Sequence, residues 1–351
     1  MFKKISLLAP FAAITFCWLA PFSQAQSQYD KVFGAKGAPQ QGTITDMKPT
    51  EVTLDMAGVP RTFPVNEIKT ISFAEEPQEL TNARNAVLQK NWKAALVELK
   101  KINPAALERD VMKQDAEYYM AYCLARLAMT EGGDKAAAET AMKNFAGRAP
   151  SSYHFFQAAE VLGDLAFSSG KYADAARYYG AIAAKAPWGD YQTRANNAVA
   201  RSLSGQKDFP GALEKFDAVL AAELTTPEAA QQKQFASIGK AVCLAETNKP
   251  DEGIKLIEDI IAKNDAQDAE LFAKAYNAMG NCYLKANRPK DALQAFLHTD
   301  ILFYADAESH AEALYRLSKL WNDVNKSDRA VAARNTLRER YAGSVWAQQQ
   351  E

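Results

Sequence analysis

The sequence predicts a mainly α-helical fold: a solenoid of about six to seven antiparallel helix pairs over residues 78–346, preceded by a small antiparallel β module over residues 26–75. Three observations lead to this prediction. Small residues recur in one register along most of the chain. Apolar and polar residues alternate with period two over residues 29–73, and a charged start with an apolar run occupies residues 1–25. Residues 347–351 form a short tail.

Residues 1–25 have the pattern of a secretory signal peptide. Lys3 and Lys4 precede the apolar run 5–19, and a small-x-small triplet ends at Ala25, where we expect cleavage. The run is too short to span a membrane and no later segment is as apolar, so we predict no transmembrane span. The alternatives are a retained N-terminal anchor and a lipid on Cys17. We therefore expect the mature protein in the periplasm or at the cell envelope.

Charge and cysteine content narrow the classes of function. Removing residues 1–25 takes away two of the 41 basic residues and none of the 42 acidic ones, which leaves a net charge of −3. A slightly acidic chain of this kind is not expected to bind nucleic acid. Three cysteines remain, Cys123, Cys243 and Cys282, each on the apolar side of a predicted helix. We expect them to be buried and reduced, where cysteine behaves as a small apolar residue.

The β module is predicted from alternation and turn residues. The segments Thr43-Ile44-Thr45 and Val52-Thr53-Leu54 alternate with period two, and Ala57-Gly58 marks a turn. Four or five strands fit between residues 29 and 73, and the module resembles an SH3-like or Sm-like barrel. Two roles are open for it: a cap over the end of the solenoid, or a ligand-binding domain. Glu75-Glu76-Pro77 is the expected joint to the helical part.

The helical part is predicted from a repeated register. Small residues stand 37 to 43 positions apart at Ala95, Ala138, Ala175, Ala212, Gly253, Ala292 and Ala330. Four positions after each of the first six stands a large apolar residue, and the last has Arg334. Of the six residues that stand twelve positions before the last six of these small residues, five are also small. A supersecondary unit repeated in this way predicts a stacked solenoid.

The best copy of the repeat is Met279-Gly280-x-x-Tyr283 followed by Ala292-x-x-x-Phe296. It resembles the tetratricopeptide repeat (TPR) family, in which a Leu-Gly-x-x-Tyr motif lies in helix A and Ala-x-x-x-Phe in helix B. The resemblance implies a right-handed α-solenoid. Because a glycine inside a helix costs about 1 kcal/mol relative to alanine, we expect Gly280 to mark a close crossing with Ala292. On this basis alanine at Gly280 is expected to be nearly neutral and leucine destabilising.

The resemblance also implies which residues line the concave groove. Basic and amide side chains are expected to flank an apolar patch and to hold a protein or peptide segment by its carboxylates and one or two apolar side chains. The predicted groove residues are Arg194, Asn197, Arg201, Phe235, Ile238, Lys274, Asn277, Asn281, Lys285 and Tyr315.

The sequence contains no motif typical of catalysis. The three histidines, His154, His298 and His310, lack partners at the spacings of zinc sites and are expected on the surface or in the groove. Carboxylates such as Asp164 are expected on solvated faces or at helix caps. We predict no metal and no cofactor.

Together these patterns predict an exported, non-enzymatic scaffold that binds other proteins or peptide segments in its groove. An envelope-assembly or structural protein that binds cell wall or outer-membrane components is the main alternative. An enzyme with an unrecognised site is a minor one.

Overall fold

The computed structural model describes residues 27–34 and 36–349, and the predicted signal peptide, residues 1–25, lies outside this part of the chain. The described residues form five strands and fourteen α-helices. The strands are β1 (Asp30–Gly34), β2 (Gln40–Met47), β3 (Glu51–Met56), β4 (Val59–Pro64) and β5 (Ile68–Ser72), with one turn of 3-10 helix (Val65–Glu67) between β4 and β5.

The strands form one antiparallel sheet in the order β4-β3-β2-β1-β5. Its register shifts at Phe33/Gly34 and between Ile44 and Asp46, and such bulges bend and twist a sheet. The outer strand β4 carries Pro60 and Pro64, which have no backbone N–H to donate to a further strand. The predicted β module is therefore present as a five-stranded sheet with a protected edge.

The helices make seven consecutive pairs. They are α1 (Gln78–Leu88), α2 (Trp92–Leu99), α3 (Asp110–Thr130), α4 (Lys135–Arg148), α5 (Phe155–Ser168), α6 (Tyr172–Lys185), α7 (Gly189–Gly205), α8 (Phe209–Ala221), α9 (Pro227–Glu246), α10 (Pro250–Lys263), α11 (Ala269–Lys285), α12 (Pro289–Leu302), α13 (Ala307–Asp323) and α14 (Ser327–Arg340). Each helix packs on the next, and odd-numbered helices also contact one another, as in α7 with α9 and α9 with α11. The odd-numbered helices thus form one layer of the solenoid. We call the exposed side of that layer the inner face.

A left-handed residue ends the first helix of every pair. The residues with positive φ in these seven turns are Lys90, Gly132, Gly170, Lys207, Asn248, Asn287 and Asn325. In six of the turns the following residue donates its N–H to a carbonyl five positions earlier, as Arg288 does to Tyr283 at 2.9 Å. This pattern terminates a helix by satisfying carbonyls that the helix itself leaves free.

Glycines in the odd-numbered helices make room for aromatic rings. A Cβ added at Gly280 would lie 2.6 Å from Cζ of the buried Phe296, and one added at Gly163 would lie 2.5 Å from Cε1 of Tyr179. The predicted close crossing exists, but Gly280 meets the Phe296 ring rather than Ala292. Alanine at Gly280 would press on that ring, so the packing opposes the expectation of a nearly neutral alanine, which stays a prediction.

The β module shares a hydrophobic core with the first helix pairs. Val32, Ile71 and Phe73 of the module belong to one cluster that continues to Leu165 in α5. At the interface the Asp30 carboxylate, 1% exposed, accepts hydrogen bonds from both Nη atoms of Arg109 at 2.6 and 3.0 Å. The sheet therefore packs on the first end of the solenoid as a cap.

A buried ionic network joins the expected joint to the first helices. Glu76 accepts from Arg84, and Arg84 Nη1 donates to Asp115 Oδ2 at 2.8 Å. The same carboxylate contacts His154 Nε2 at 2.9 Å and accepts from Tyr153 Oη at 2.9 Å. Surrounding charges and hydrogen bonds hold the pKa of Asp115 below its ordinary value against the opposing effect of burial.

The structure corrects the predicted location of two of the three histidines. His154 is 2% exposed, and His310 is 3% exposed with its ring nitrogens 2.7 Å from Tyr341 Oη and 2.8 Å from Asp300 Oδ1. Both are core residues that join neighbouring elements, whereas His298 is exposed as expected. The cysteines are buried and free, as predicted. Across the described residues, no helix is both long and apolar enough to cross a membrane.

The solenoid completes a superhelical turn and contacts itself. The Gly343 N–H donates to the Thr130 carbonyl at 3.3 Å, which places the residues after α14 against the end of α3. Arg201 at the end of α7 pairs with Glu308 in the first turn of α13. The last helix pair therefore lies across the ends of earlier pairs.

Candidate functional site

The inner face holds seven of the ten predicted groove residues with side chains at least partly exposed. They are Arg194, Arg201, Phe235, Lys274, Asn281, Lys285 and Tyr315. They come from α7, α9, α11 and α13, because the repeat places equivalent positions of each odd-numbered helix on the same side. The structure therefore brings most of the predicted set together on one surface.

The other three predicted residues are buried, so their expected place in the groove is wrong. Asn197 donates from Nδ2 to the Gln232 carbonyl at 3.2 Å, and Asn277 donates to the Ser309 carbonyl at 2.7 Å. Each amide joins its helix to the next odd-numbered helix, which sets the spacing between repeats. Ile238 packs in the core formed by α9, α10 and α11. The helices are packed too closely at these positions for the side chains to reach the surface.

Three basic residues of the inner face are paired with acids on neighbouring odd-numbered helices. Arg194 of α7 lies 3.1 Å from Glu160 of α5, and Lys285 of α11 lies 2.6 Å from Glu246 of α9. Lys274 lies 3.6 Å from Asp306, the residue that caps α13. Basic and acidic helices thus alternate along the groove.

Three of the four groove cations also lie over an aromatic ring. The distances to the ring centroids are 4.6 Å for Arg194 over Tyr191, 5.0 Å for Arg201 over Phe167, and 5.5 Å for Lys274 over Phe235. A cation held between a ring and a carboxylate loses little further freedom when it binds a ligand. The groove therefore presents oriented positive charges beside aromatic surface.

Solved structures of other proteins share this architecture. A tetratricopeptide repeat protein from Parabacteroides merdae is 12% identical with a TM-score of 0.54, and the match covers 75% of this chain and 92% of that one. This chain has the TPR fold. Other matches are NprR in complex with its cognate peptide NprX, at 14% identity and a TM-score of 0.50 over 74% of this chain and 76% of that one. A Rap protein complexed with competence and sporulation factor matches at 12% identity and a TM-score of 0.52, over 77% and 74%.

No family model and no curated protein matches the sequence. At identities of 12–14% the structural matches establish the fold alone.

Two carboxylates lie one turn apart on the inner face of the TPR helix α5. Desolvation raises the pKa of Glu160 and of Asp164, although the positive charges of Arg194 and Arg126 oppose it. About a third of each side chain is exposed, but the surrounding helices exclude much of the bulk water. Asp164 also accepts a hydrogen bond from Tyr179 Oη at 2.6 Å. It is thus a half-buried, paired carboxylate and not the solvated or capping residue expected.

The repeat register of the sequence already places these two acids on the concave side, although neither is among the predicted groove residues. Glu160 and Asp164 occupy the same helical positions as the predicted groove residues, so the repeat register identifies them once acids are admitted. Glu308 has no such local signal, because it meets Arg201 only through closure of the superhelix. Among the described residues no cluster of three or more histidine, cysteine or acidic side chains could hold a metal ion.

Proposed function

We propose that this chain is an exported TPR scaffold that binds an extended segment of another protein along its inner face. The observation that carries the proposal is the row of four cations, each facing a carboxylate and three of them lying over an aromatic ring. A folded helical layer with such a row can bind an extended chain in a single register. The NprR structure, which was solved with a cognate peptide, supports this use of the fold.

The chemistry of the groove favours a segment with acidic and apolar side chains. Arg201, Lys274 and Lys285 would donate charge-assisted hydrogen bonds to its carboxylates. Asn281, whose Nδ2 now donates to Glu312 at 2.9 Å, can exchange that partner for a carbonyl of the bound backbone. Phe235 and Tyr315 would contact its apolar side chains.

Export rests on residues 1–25, whose charged start and short apolar run favour a periplasmic or envelope location. In that compartment the partner would be another envelope protein.

The test compares two triple variants. Arg201→Gln, Lys274→Gln and Lys285→Gln together remove three of the four groove cations without placing like charges beside their acidic neighbours. The control neutralises Arg177, Lys249 and Lys263, which are exposed and paired only with residues three or four positions away. A partner recovered from envelope extract should lose at least tenfold in affinity with the groove variant and little with the control.

Two other outcomes would indicate a different binding surface or a different role for the protein. Equal affinity of the wild type and the groove variant would move the binding surface to the β module or to the even-numbered helices. Sedimentation of the protein with purified cell wall, without a protein partner, would favour the alternative role in envelope structure.

A further inference from the structure

One ion pair of the inner face differs from the others in the elements that it joins. Arg201 Nη2 lies 2.5 Å from Glu308 Oε1, and the two residues are 107 positions apart. The pairs of Arg194, Lys274 and Lys285 join adjacent odd-numbered helices and so support stacking. The Arg201 pair instead joins α7 to α13 across the superhelical turn.

A second contact closes the same turn. Gly343 packs directly on backbone atoms of Ala128 and Met129, where any side chain would collide, and its N–H donates to Thr130. A Cβ on Gly132, which has a φ of +87°, would lie 3.1 Å from the Cβ of Ala342. Contacts of Gly343 and Ala342 thus join the last repeat to the end of α3.

The charged contact is exposed and replaceable. The side chains of Arg201 and Glu308 are 45% and 53% exposed, and within the described residues Arg201 is the only hydrogen-bonding partner of the Glu308 side chain. Exposed ion pairs contribute little to stability, since both ions are hydrated when separated. Arg201 meanwhile stays positioned by the Phe167 ring beneath it.

We propose that Glu308 occupies, in the closed turn, the place at Arg201 that a carboxylate of a bound acidic segment takes. This inference rests on the proposed function and specifies the ligand as acidic. Ligand binding at Arg201 and closure by Glu308 exclude one another, because both carboxylates would occupy the same position at the guanidinium. An acidic partner therefore loosens the last helix pair, and Glu308 weakens binding by competition.

The binding test uses a defined probe. A fluorescein-labelled twelve-residue peptide of alternating glutamate and leucine is compared with its twin in which glutamine replaces glutamate. Glu308→Gln should bind the acidic peptide about fivefold more tightly than the wild type, the factor for an exposed pair of about 1 kcal/mol. Glu252→Gln, which removes an exposed acid paired with Lys249 on α10, should leave the affinity unchanged. In an Arg201→Gln background, Glu308→Gln should have no effect.

A second measurement follows closure without any ligand. Amide hydrogen exchange of residues 341–345 should be faster in Glu308→Gln than in the wild type and in Glu252→Gln, since the Gly343 N–H bonds across the closed turn. The acidic peptide should speed the same exchange in the wild type.

The outcomes separate the two proposals. If both peptides bind all forms equally, peptide binding stands and the role of Glu308 is overturned. Unchanged exchange in Glu308→Gln would also overturn it. If neither peptide binds any form, the proposed function is wrong and this inference falls with it.

Discussion

Replacing Gly280 by alanine measures how closely the paired helices approach. The added Cβ would lie 2.6, 2.7 and 2.9 Å from three ring carbons of Phe296, whereas ordinary contacts begin near 3.4 Å. Phe296 is fully buried, so its ring must move by a large fraction of an ångström within a packed core. Overpacking of this kind costs about 1–3 kcal/mol. The better helix propensity of alanine returns about 1 kcal/mol.

The net expectation is a loss of about 0–2 kcal/mol of unfolding free energy. Gly180→Ala is the matched control, because Gly180 is inside α6 and an added Cβ there has no neighbour within 4 Å. The control gains helix propensity alone and should stabilise by up to about 1 kcal/mol. The two alanine variants should therefore differ by about 1–3 kcal/mol in equilibrium urea unfolding.

A second substitution distinguishes packing from other causes. Phe296→Leu removes the ring, so adding Gly280→Ala to it should cost less than in the wild type, and a double-mutant cycle gives the coupling. If Gly280→Ala and Gly180→Ala stabilise equally, the close contact between α11 and α12 does not exist. The argument for glycine in this repeat would then be refuted.

Three other predictions concern stability and processing. Asp115→Asn should cost about 3–5 kcal/mol, because it leaves Arg84 with less charge compensation in the core. Folding lowers the pKa of Asp115, so the stability that its carboxylate contributes is present above the ordinary value of 3.8 and is lost as pH falls through the folded-state pKa. The melting temperature should therefore fall less steeply from pH 7 to 3 in the variant than in the wild type. Lys207→Gly should stabilise by about 1 kcal/mol in urea unfolding, because φ is +65° there. N-terminal sequencing of the protein from cells should begin at Gln26.

A specific result would contradict each of these three predictions. Parallel melting curves of the wild type and Asp115→Asn at acid pH would remove the carboxylate from the pH dependence. A destabilised Lys207→Gly would mean that the lysine side chain contributes more than its backbone strain. A start at Met1, or a lipid on Cys17, would contradict processing after Ala25.

The repeat architecture could be predicted from the sequence because its causes are local. Turn residues such as Asn248 and Asn287 adopt the left-handed conformation that ends a helix, and they recur at the repeat spacing. The apolar register around Ala292 and Phe296 likewise depends only on the helical period. The inner face follows from the same period, which is why seven predicted groove residues lie on it.

The tertiary structure decided which of the predicted groove residues remain exposed. Asn277 and Ile238 satisfy the register of the groove, yet the approach of neighbouring helices buries them. Gly280 signals a close contact, but only the packed geometry identifies the Phe296 ring as its partner. The pairing of Arg201 with Glu308 depends on the small rotation between successive repeats, summed over the solenoid. Such a sum is set by every interface in the stack, so no local pattern contains it.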